Sequence, residues 1–297
     1  MKPKGSWQYL LVDVDGTLLD SSGRIPPRNR AVLARAVAAG LTLVLATGRT
    51  YPSLLRVTDG LQLPFHLITN GGAVGLSPDL AAERHVGYMS RELWPRIVGA
   101  LQAEGLSTVV YRHRHPAPPR ICIASERGDP HFEAYMGRNE QFMELVPDLA
   151  AAGFCDVIEV AALGSGDAFE AASERVRKRF DHQAEHHTMV LFIASRFGRI
   201  TEFFCPGTSK WHAFLAMFPQ AAAHPERVIA IGDEANDREM LAAAGLGIAM
   251  GNAPPELKAL ADLVTEDHDH DGLARALEPI LGAMKGDSEQ ASADLGG

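Results

Sequence analysis

Short apolar runs, each closed by a polar cluster, recur at both ends of this chain. Tyr9 to Val12, Leu41 to Ala46 and Phe65 to Thr69 are predicted strands. Between the first two, Arg28 to Ala39 reads as a helix that stops at Gly40. The style returns in the last third. Arg227 to Ile231, Leu246 to Ala249 and Leu263 to Thr265 are predicted strands, Arg238 to Ala244 is a predicted helix, and Pro254-Pro255 can open a helix over Glu256 to Ala261. Continuous apolar runs alternating with helices predict a parallel sheet covered on both faces, a doubly wound (Rossmann-like) α/β domain.

The middle has a different pattern. Ser107 to Arg112, Arg120 to Ser125, Asp156 to Ala162, Met189 to Ser195 and Arg199 to Phe204 are strand-like, whereas Ser90 to Glu104 and Asp167 to Phe180 are helix-like. A strand-dense block lying between two βα-alternating halves predicts an inserted domain. The expected division is a discontinuous core of residues 1–83 and 202–284 with an insert of 84–201. Residues 285–297 are small and polar and are expected to form a disordered tail.

Composition narrows the picture. Of 297 residues, 46% are hydrophobic and 22% charged, enough to build globular cores. The formal net charge of −9 removes the basic footprint of a nucleic-acid or anionic-membrane binder, so neither partner is expected. The apolar runs are too short to span a bilayer, and the basic N-terminus fits no secretory signal. Cys122, Cys155 and Cys205 form no zinc or disulfide pattern and read as reduced thiols. The expected setting is the cytoplasm, with a monomer or a homodimer both compatible.

The chemistry lies in the polar clusters. Asp13 and Asp15 leave the end of the first strand two residues apart, and Gly16 lets the chain turn sharply behind them. Two carboxylates at a buried strand end are unfavourable unless a cation or a reaction needs them. Thr47-Gly48-Arg49, Asn70-Gly71-Gly72 and Gly232-Asp233-Glu234-Ala235-Asn236-Asp237 also follow apolar runs. In an open parallel sheet these positions fall at the carboxyl ends of strands, where ligands bind. Asp13, Asp15, Asp233 and Asp237 are therefore expected to converge. A hard divalent cation relieves their repulsion, and oxygen-only ligands favour Mg2+ over zinc.

These pieces, with Ser209-Lys210 and Ala249-Met250-Gly251-Asn252-Ala253, stand in the order found in the haloacid dehalogenase superfamily. The chain resembles its Cof-type phosphatases, which carry a large α/β cap. The resemblance covers both flanking regions, while the middle matches in size and position alone. It implies a Mg2+-dependent phosphatase acting on small phosphorylated metabolites such as sugar phosphates. Asp13 would be the nucleophile that forms an aspartyl-phosphate. Asp15 would act as acid and then base. Thr47 would hydrogen-bond the phosphoryl group, Lys210 would neutralise it, and Asn236 would orient Lys210 or a carboxylate. Gly48, Arg49, Asn70 and Gly71 are candidates for the phosphate pocket. Asp13, the Asp15 carbonyl and Asp233 would hold Mg2+, with Asp237 joining directly or through water. The cap would exclude water and read the organic part of the substrate.

Other readings remain beside these. A phosphomutase or phosphotransferase would share the same intermediate, and a silent binding module would keep the fold without turnover. Arg49 either contacts substrate or pairs with a carboxylate, and Asn70-Gly71 either line the pocket or form a turn. Asn252 either orients an aspartate or caps the next helix. Trp211 stands where the subgroup commonly has glycine. Arg112-His113-Arg114-His115 and His268-Asp269-His270-Asp271 read as solvated segments.

Overall fold

The computed structural model describes residues 7–114, 120–125, 128–193 and 196–294. In chain order the elements begin with β1 (Tyr9–Asp13), α1 (Pro27–Ala38), β2 (Thr42–Ala46), α2 (Tyr51–Thr58), β3 (His66–Thr69), β4 (Val74–Leu76) and β5 (Glu83–Val86). The middle contributes α3 (Leu93–Ala103), β6 (Ser107–Arg112), β7 (Arg120–Ile123), α4 (Pro130–Asn139), β8 (Met143–Leu145), β9 (Val157–Gly164), α5 (Gly166–Phe180), β10 (Glu185–Ile193) and β11 (Arg196–Phe204). The chain closes with α6 (Lys210–Met217), α7 (Pro219–Ala223), β12 (Val228–Gly232), α8 (Arg238–Ala243), β13 (Leu246–Ala249), α9 (Pro255–Leu260), β14 (Leu263–Val264) and α10 (Gly272–Asp294).

Two compact units result, one of Met1–His85 with Ser209–Gly297 and one of Val86–Thr208. The insert therefore ends seven residues beyond the expected 201. The reason is β11, which stays paired with β9 as far as Phe204. Past residue 285, α10 continues to Asp294 in the stretch expected to be a tail, where Ala, Glu and Gln favour helix over coil; residues 295–297 lie outside the described residues.

The first unit holds an eight-stranded sheet in the order β14-β13-β12-β1-β2-β3-β4-β5. Every pair from β14 to β3 is parallel, and β4 turns antiparallel to β3. β1 is buried at all five positions, so its sheet needs cover on both faces. Tyr9 and Leu11 pack with Trp211, Phe214 and Met217 of α6 and Met240 and Leu241 of α8. Leu10 and Val12 alternate to the opposite side and are equally buried. Each such buried side chain contributes about 1.5–3 kcal/mol. The order reverses at β1, with β2 on one side and β12 on the other, which opens a crevice at the carboxyl ends of these strands.

The second unit holds a six-stranded sheet, β10-β11-β9-β6-β7-β8, antiparallel apart from β7 and β8. Trp94, Ile97 and Leu101 of α3 and Phe169, Val176 and Phe180 of α5 form its core with Val110, Val160 and Phe203. Arg112 is fixed inside this unit by Asp156 at 2.7 and 3.0 Å and by the Phe154 ring at 3.8 Å. Its neighbour His115 lies outside the described residues. α4 opens with Pro130 behind Asp129, whose side chain accepts the His131 amide at 2.7 Å. All three cysteines are free.

His131 is 2% exposed, and neither ring nitrogen has a hydrogen-bond partner among the described residues. Its ring lies on the Gly198 backbone of β11, where a Cβ would come within 2.3 Å of it. Burial lowers its pKa. The folded chain thus prefers the neutral ring, while the unfolded chain takes up a proton below about 6.5. Stability from this residue is complete above that pH and declines as pH falls through it. Between about pH 7.5 and pH 5, thermal melting should drop more steeply for the wild type than for His131→Leu. Parallel profiles would remove His131 as the cause.

Candidate active site

The turns after β1, β2, β3 and β12 and the start of α6 assemble one site within the first unit. β1 delivers Asp13, and the turn Val14–Leu18 is closed by the Leu19 amide on the Val14 carbonyl at 3.0 Å. Gly16 takes φ 76°, and a Cβ there would lie 2.2 Å from Asp233 Oδ2. The turn can therefore approach the β12 loop only with glycine at this position. In that loop Asp237 Oδ2 accepts the Asp233 and Glu234 amides at 2.9 and 3.0 Å, which folds Gly232–Asp237 on itself. Ser209 caps α6 by accepting the His212 amide at 3.1 Å, and Lys210 follows as its first residue.

Lys210 is the electrostatic centre. It is 1% exposed, and its Nζ donates to Asp13 Oδ1 at 2.6 Å, Asp237 Oδ1 at 2.6 Å and Asn236 Oδ1 at 3.1 Å. Burial opposes its charge, but Asp13 and Asp237 outweigh that and raise its pKa, so it is held as the ammonium ion. Burial also raises the Asp13 pKa, helped by Asp237 and Asp233 and opposed by Lys210. Asp233 is raised to about 7, first by burial and then by Asp237. One lysine thus leaves an excess of negative charge among three buried carboxylates.

Asp13, Asp233 and Asp237 each offer an oxygen within 4.8 Å of the others, the one such group of His, Cys, Asp and Glu found among the described residues. Their donor chemistry fits a hard divalent cation, and their mutual repulsion is what such a cation relieves. The Asp233 carboxylate is already oriented. Thr17 Oγ1 donates to its Oδ1 at 3.0 Å and Asn252 Nδ2 to its Oδ2 at 2.8 Å. Asn252 thus takes the first of its two expected roles and orients an aspartate, whereas Thr17 is not among the expected site residues. Thr17 lies inside the first motif, and its closeness to Asp233 is visible only once the two loops meet.

The fourth carboxylate departs from the expected convergence. The Asp15 side chain is 53% exposed and turned to Arg49, which holds it with Nε at 2.8 and 3.1 Å and Nη2 at 2.6 Å. A two-pronged guanidinium fits a carboxylate better than a share in a crowded anionic pocket does. Arg49 therefore pairs with a carboxylate here, and its pKa is raised although burial disfavours its charge. Thr47 is buried; its Oγ1 accepts the Arg49 amide at 3.0 Å and stands 3.5 Å from Asp15 Oδ2. Gly48 forms the turn between them.

Asn70 and Gly71 are both buried with positive φ, and the Gly71 amide donates to the Thr47 carbonyl at 3.1 Å. They bind the β3 turn to the β2 turn. Trp211, in the place of a glycine, is taken up by the core and stacks on Phe214 with centroids 5.3 Å apart. It leaves Lys210 in place. In the His268–Asp271 segment, Asp267 Oδ1 accepts the amides of Asp269 and His270 and meets His270 Nδ1 at 2.7 Å, which makes a local turn.

A family model described as haloacid dehalogenase-like hydrolase matches residues 10–277. The phosphatase YwpJ of Bacillus subtilis is 27% identical over 292 residues, covering 92% of this chain and 100% of the relative. The chloroplastic endoribonuclease YBEY of Arabidopsis thaliana is 28% identical over 288 residues, covering 93% of this chain but 46% of that longer protein. A haloacid dehalogenase-like hydrolase structure from Bacteroides thetaiotaomicron shares the fold, with a TM-score of 0.74 at 24% identity over 93% of this chain and 100% of that one.

The start of α6 depends on one glycine. Gly72 has φ 116°, and a Cβ there would lie 2.3 Å from the Ser209 carbonyl oxygen and 2.9 Å from the Lys210 amide nitrogen. Gly72→Ala is expected to destabilise the fold by more than about 2 kcal/mol, read from the denaturant midpoint. A midpoint equal to wild type would show that α6 moves aside freely.

Proposed function

The chain belongs to the haloacid dehalogenase-like hydrolases, as a phosphoric monoester hydrolase with an α/β cap, and we propose that it releases phosphate from small phosphorylated metabolites through an aspartyl-phosphate. Sugar phosphates are the favoured substrate class. The observation that carries this reading is the buried Lys210 bridge to Asp13 and Asp237, which fixes a carboxylate at the end of β1 with its charge balanced on one side.

In the first step an Asp13 oxygen attacks phosphorus while the bond to the leaving oxygen breaks. Asp15, protonated, gives its proton to that oxygen, and the alcohol departs. In the second step Asp15, now a carboxylate, takes a proton from water as the water oxygen attacks phosphorus. The bond to Asp13 breaks, and inorganic phosphate leaves. Asp15 is returned to the acid form that began the cycle. The Arg49 pair holds Asp15 as a carboxylate between turnovers, so Asp15 leaves Arg49 and takes a proton from solvent before the first step, and gives that proton back to solvent when it pairs with Arg49 again.

Thr47 donates its hydroxyl proton to a phosphoryl oxygen, because its own oxygen already accepts the Arg49 amide. Lys210 offsets the charge that builds up on the transferring group, and Asn236 and Asp237 hold its ammonium in place. Gly48, Arg49, Asn70 and Gly71 form the surround of the phosphoryl group. Mg2+ is the cofactor of this reading. Asp13, the Asp15 carbonyl and Asp233 would hold it, and its charge would screen a dianionic phosphate from an anionic nucleophile. Asp237 joins through its remaining lone pair or through water, since its Oδ2 is taken by two amides.

Asp13→Asn should lower phosphate release from a panel of phosphorylated sugars by at least about a thousandfold with the circular dichroism unchanged. Substantial turnover by that variant would sink the nucleophile assignment. EDTA should abolish wild-type release and excess Mg2+ restore it; release that survives EDTA would remove the metal from this reading. The product settles the reaction type, since a mutase would yield an isomerised sugar phosphate in place of inorganic phosphate.

A further inference from the structure

Asn252 joins more of the site's loops than any element of the reaction scheme requires. It follows β13 in the segment Met250–Ala253, and its exposed side chain uses both ends of the amide. Nδ2 donates to the Gly16 carbonyl at 3.0 Å and to Asp233 Oδ2 at 2.8 Å, and Oδ1 accepts the His268 amide at 3.2 Å. Three segments meet on one side chain: the turn behind β1, the loop behind β12 and the turn behind β14. Two acceptors on one side and an N–H donor on the other fix which end of the amide points where.

The side chain is not capping a helix. α9 has Pro254 as its preceding residue, and no side chain caps its first turn. The backbone instead carries Asn252 toward the site. The Gly251 amide donates to the Glu266 carbonyl at 3.0 Å, and a Cβ on Gly251 would lie 2.5 Å from the Asp267 amide nitrogen. The opposing turn is held by the Thr265 amide on Ala249 at 3.0 Å and tied to the β1 side by the Ser21 amide on Asp269 Oδ1 at 2.8 Å. Asn252 therefore rests on a braced support.

The residue type matches the task. An aspartate would offer no proton to Gly16 or Asp233 and would add another carboxylate to the cluster. A serine has one proton for two acceptors. With Thr17 on Oδ1 and Asn252 on Oδ2, the Asp233 carboxylate cannot turn about its own bond, and each oxygen keeps a lone pair for a cation. Outer hydrogen bonds of this kind orient ligands, and their loss weakens metal binding by about 10–100-fold.

We propose that Asn252 is a positioning residue that sets the cation affinity of this site by holding the Asp233 carboxylate and the Gly16 turn in one arrangement. This rests on the reading that Asp233 binds Mg2+. The test titrates Mg2+ calorimetrically into substrate-free wild type, Asn252→Ala and the similarly shaped Asn252→Leu, with melting in EDTA measured alongside. The expected result is a Mg2+ Kd raised about tenfold or more, in at least one variant that melts as wild type does in EDTA, with substrate KM little changed at saturating Mg2+. A rise of less than about threefold overturns the proposal while the Mg2+ reading stands. Weakened binding confined to variants that have lost metal-free stability overturns it too, since Asn252 would then act on the fold. Wild type that binds no Mg2+ overturns both.

Discussion

The contact on which the site depends is the Lys210 ammonium lodged between Asp13 and Asp237. All three groups are nearly or wholly shut off from water. Taking charges out of water is unfavourable by several kcal/mol per ion, and attraction offsets this only where the geometry is good and the remaining hydrogen bonds are satisfied. Both conditions hold here. The two carboxylate contacts are 2.6 Å, Asn236 takes a further ammonium proton, and Asp237 spends its second oxygen on two backbone amides. Each loop is thus held by the charge of another, and removal of any one member would strand charge in the interior.

That arrangement requires strands to arrive side by side in one direction. β1 stands between β2 and β12, so the turns bearing Asp13, Thr47 and Asp233 are neighbours in space although far apart in the chain. Parallel pairing gives all three turns the same edge. The glycines then set the distances: Gly16 admits Asp233, Gly232 leaves room for Asp237, and Gly72 admits the start of α6. Packing places the elements to within a residue's width, and these absent side chains allow the final approach.

Much of this was legible in the sequence because polar clusters behind apolar runs are a direct consequence of a buried parallel sheet. β1, β2, β3, β12 and β13 lie within a residue or so of their expected positions. Elements without that contrast were hidden. β4, β5 and β8 are three or four residues long, too short for a period to show. α2 begins at Tyr51-Pro52 and α4 at Pro130 behind its cap Asp129, start signals that are easily read as turns. The departure of Asp15 was illegible for another reason. A motif places a residue on a turn, while the rotamer is decided by a neighbour, here Arg49 from the next strand's turn. The same holds for Thr17, whose role exists only between segments distant in sequence, and for the choice between the two roles that the sequence leaves open for Asn252.

The close approach of Gly72 to Ser209 bears on how such a chain can change over time. The residues from Val86 to Thr208 form a separate compact unit, a long excursion between two points of the first unit. Lys210 is the second residue after the return, yet its position is set by backbone contact with Gly72 on the outgoing side. The excursion is stitched shut at its neck. Doubling the length of a flexible excursion adds only about 0.6 kcal/mol of closure entropy. The neck can therefore host inserts of differing size or design while the lysine stays in register, so the length between Val86 and Thr208 can change without rebuilding the cluster around Lys210.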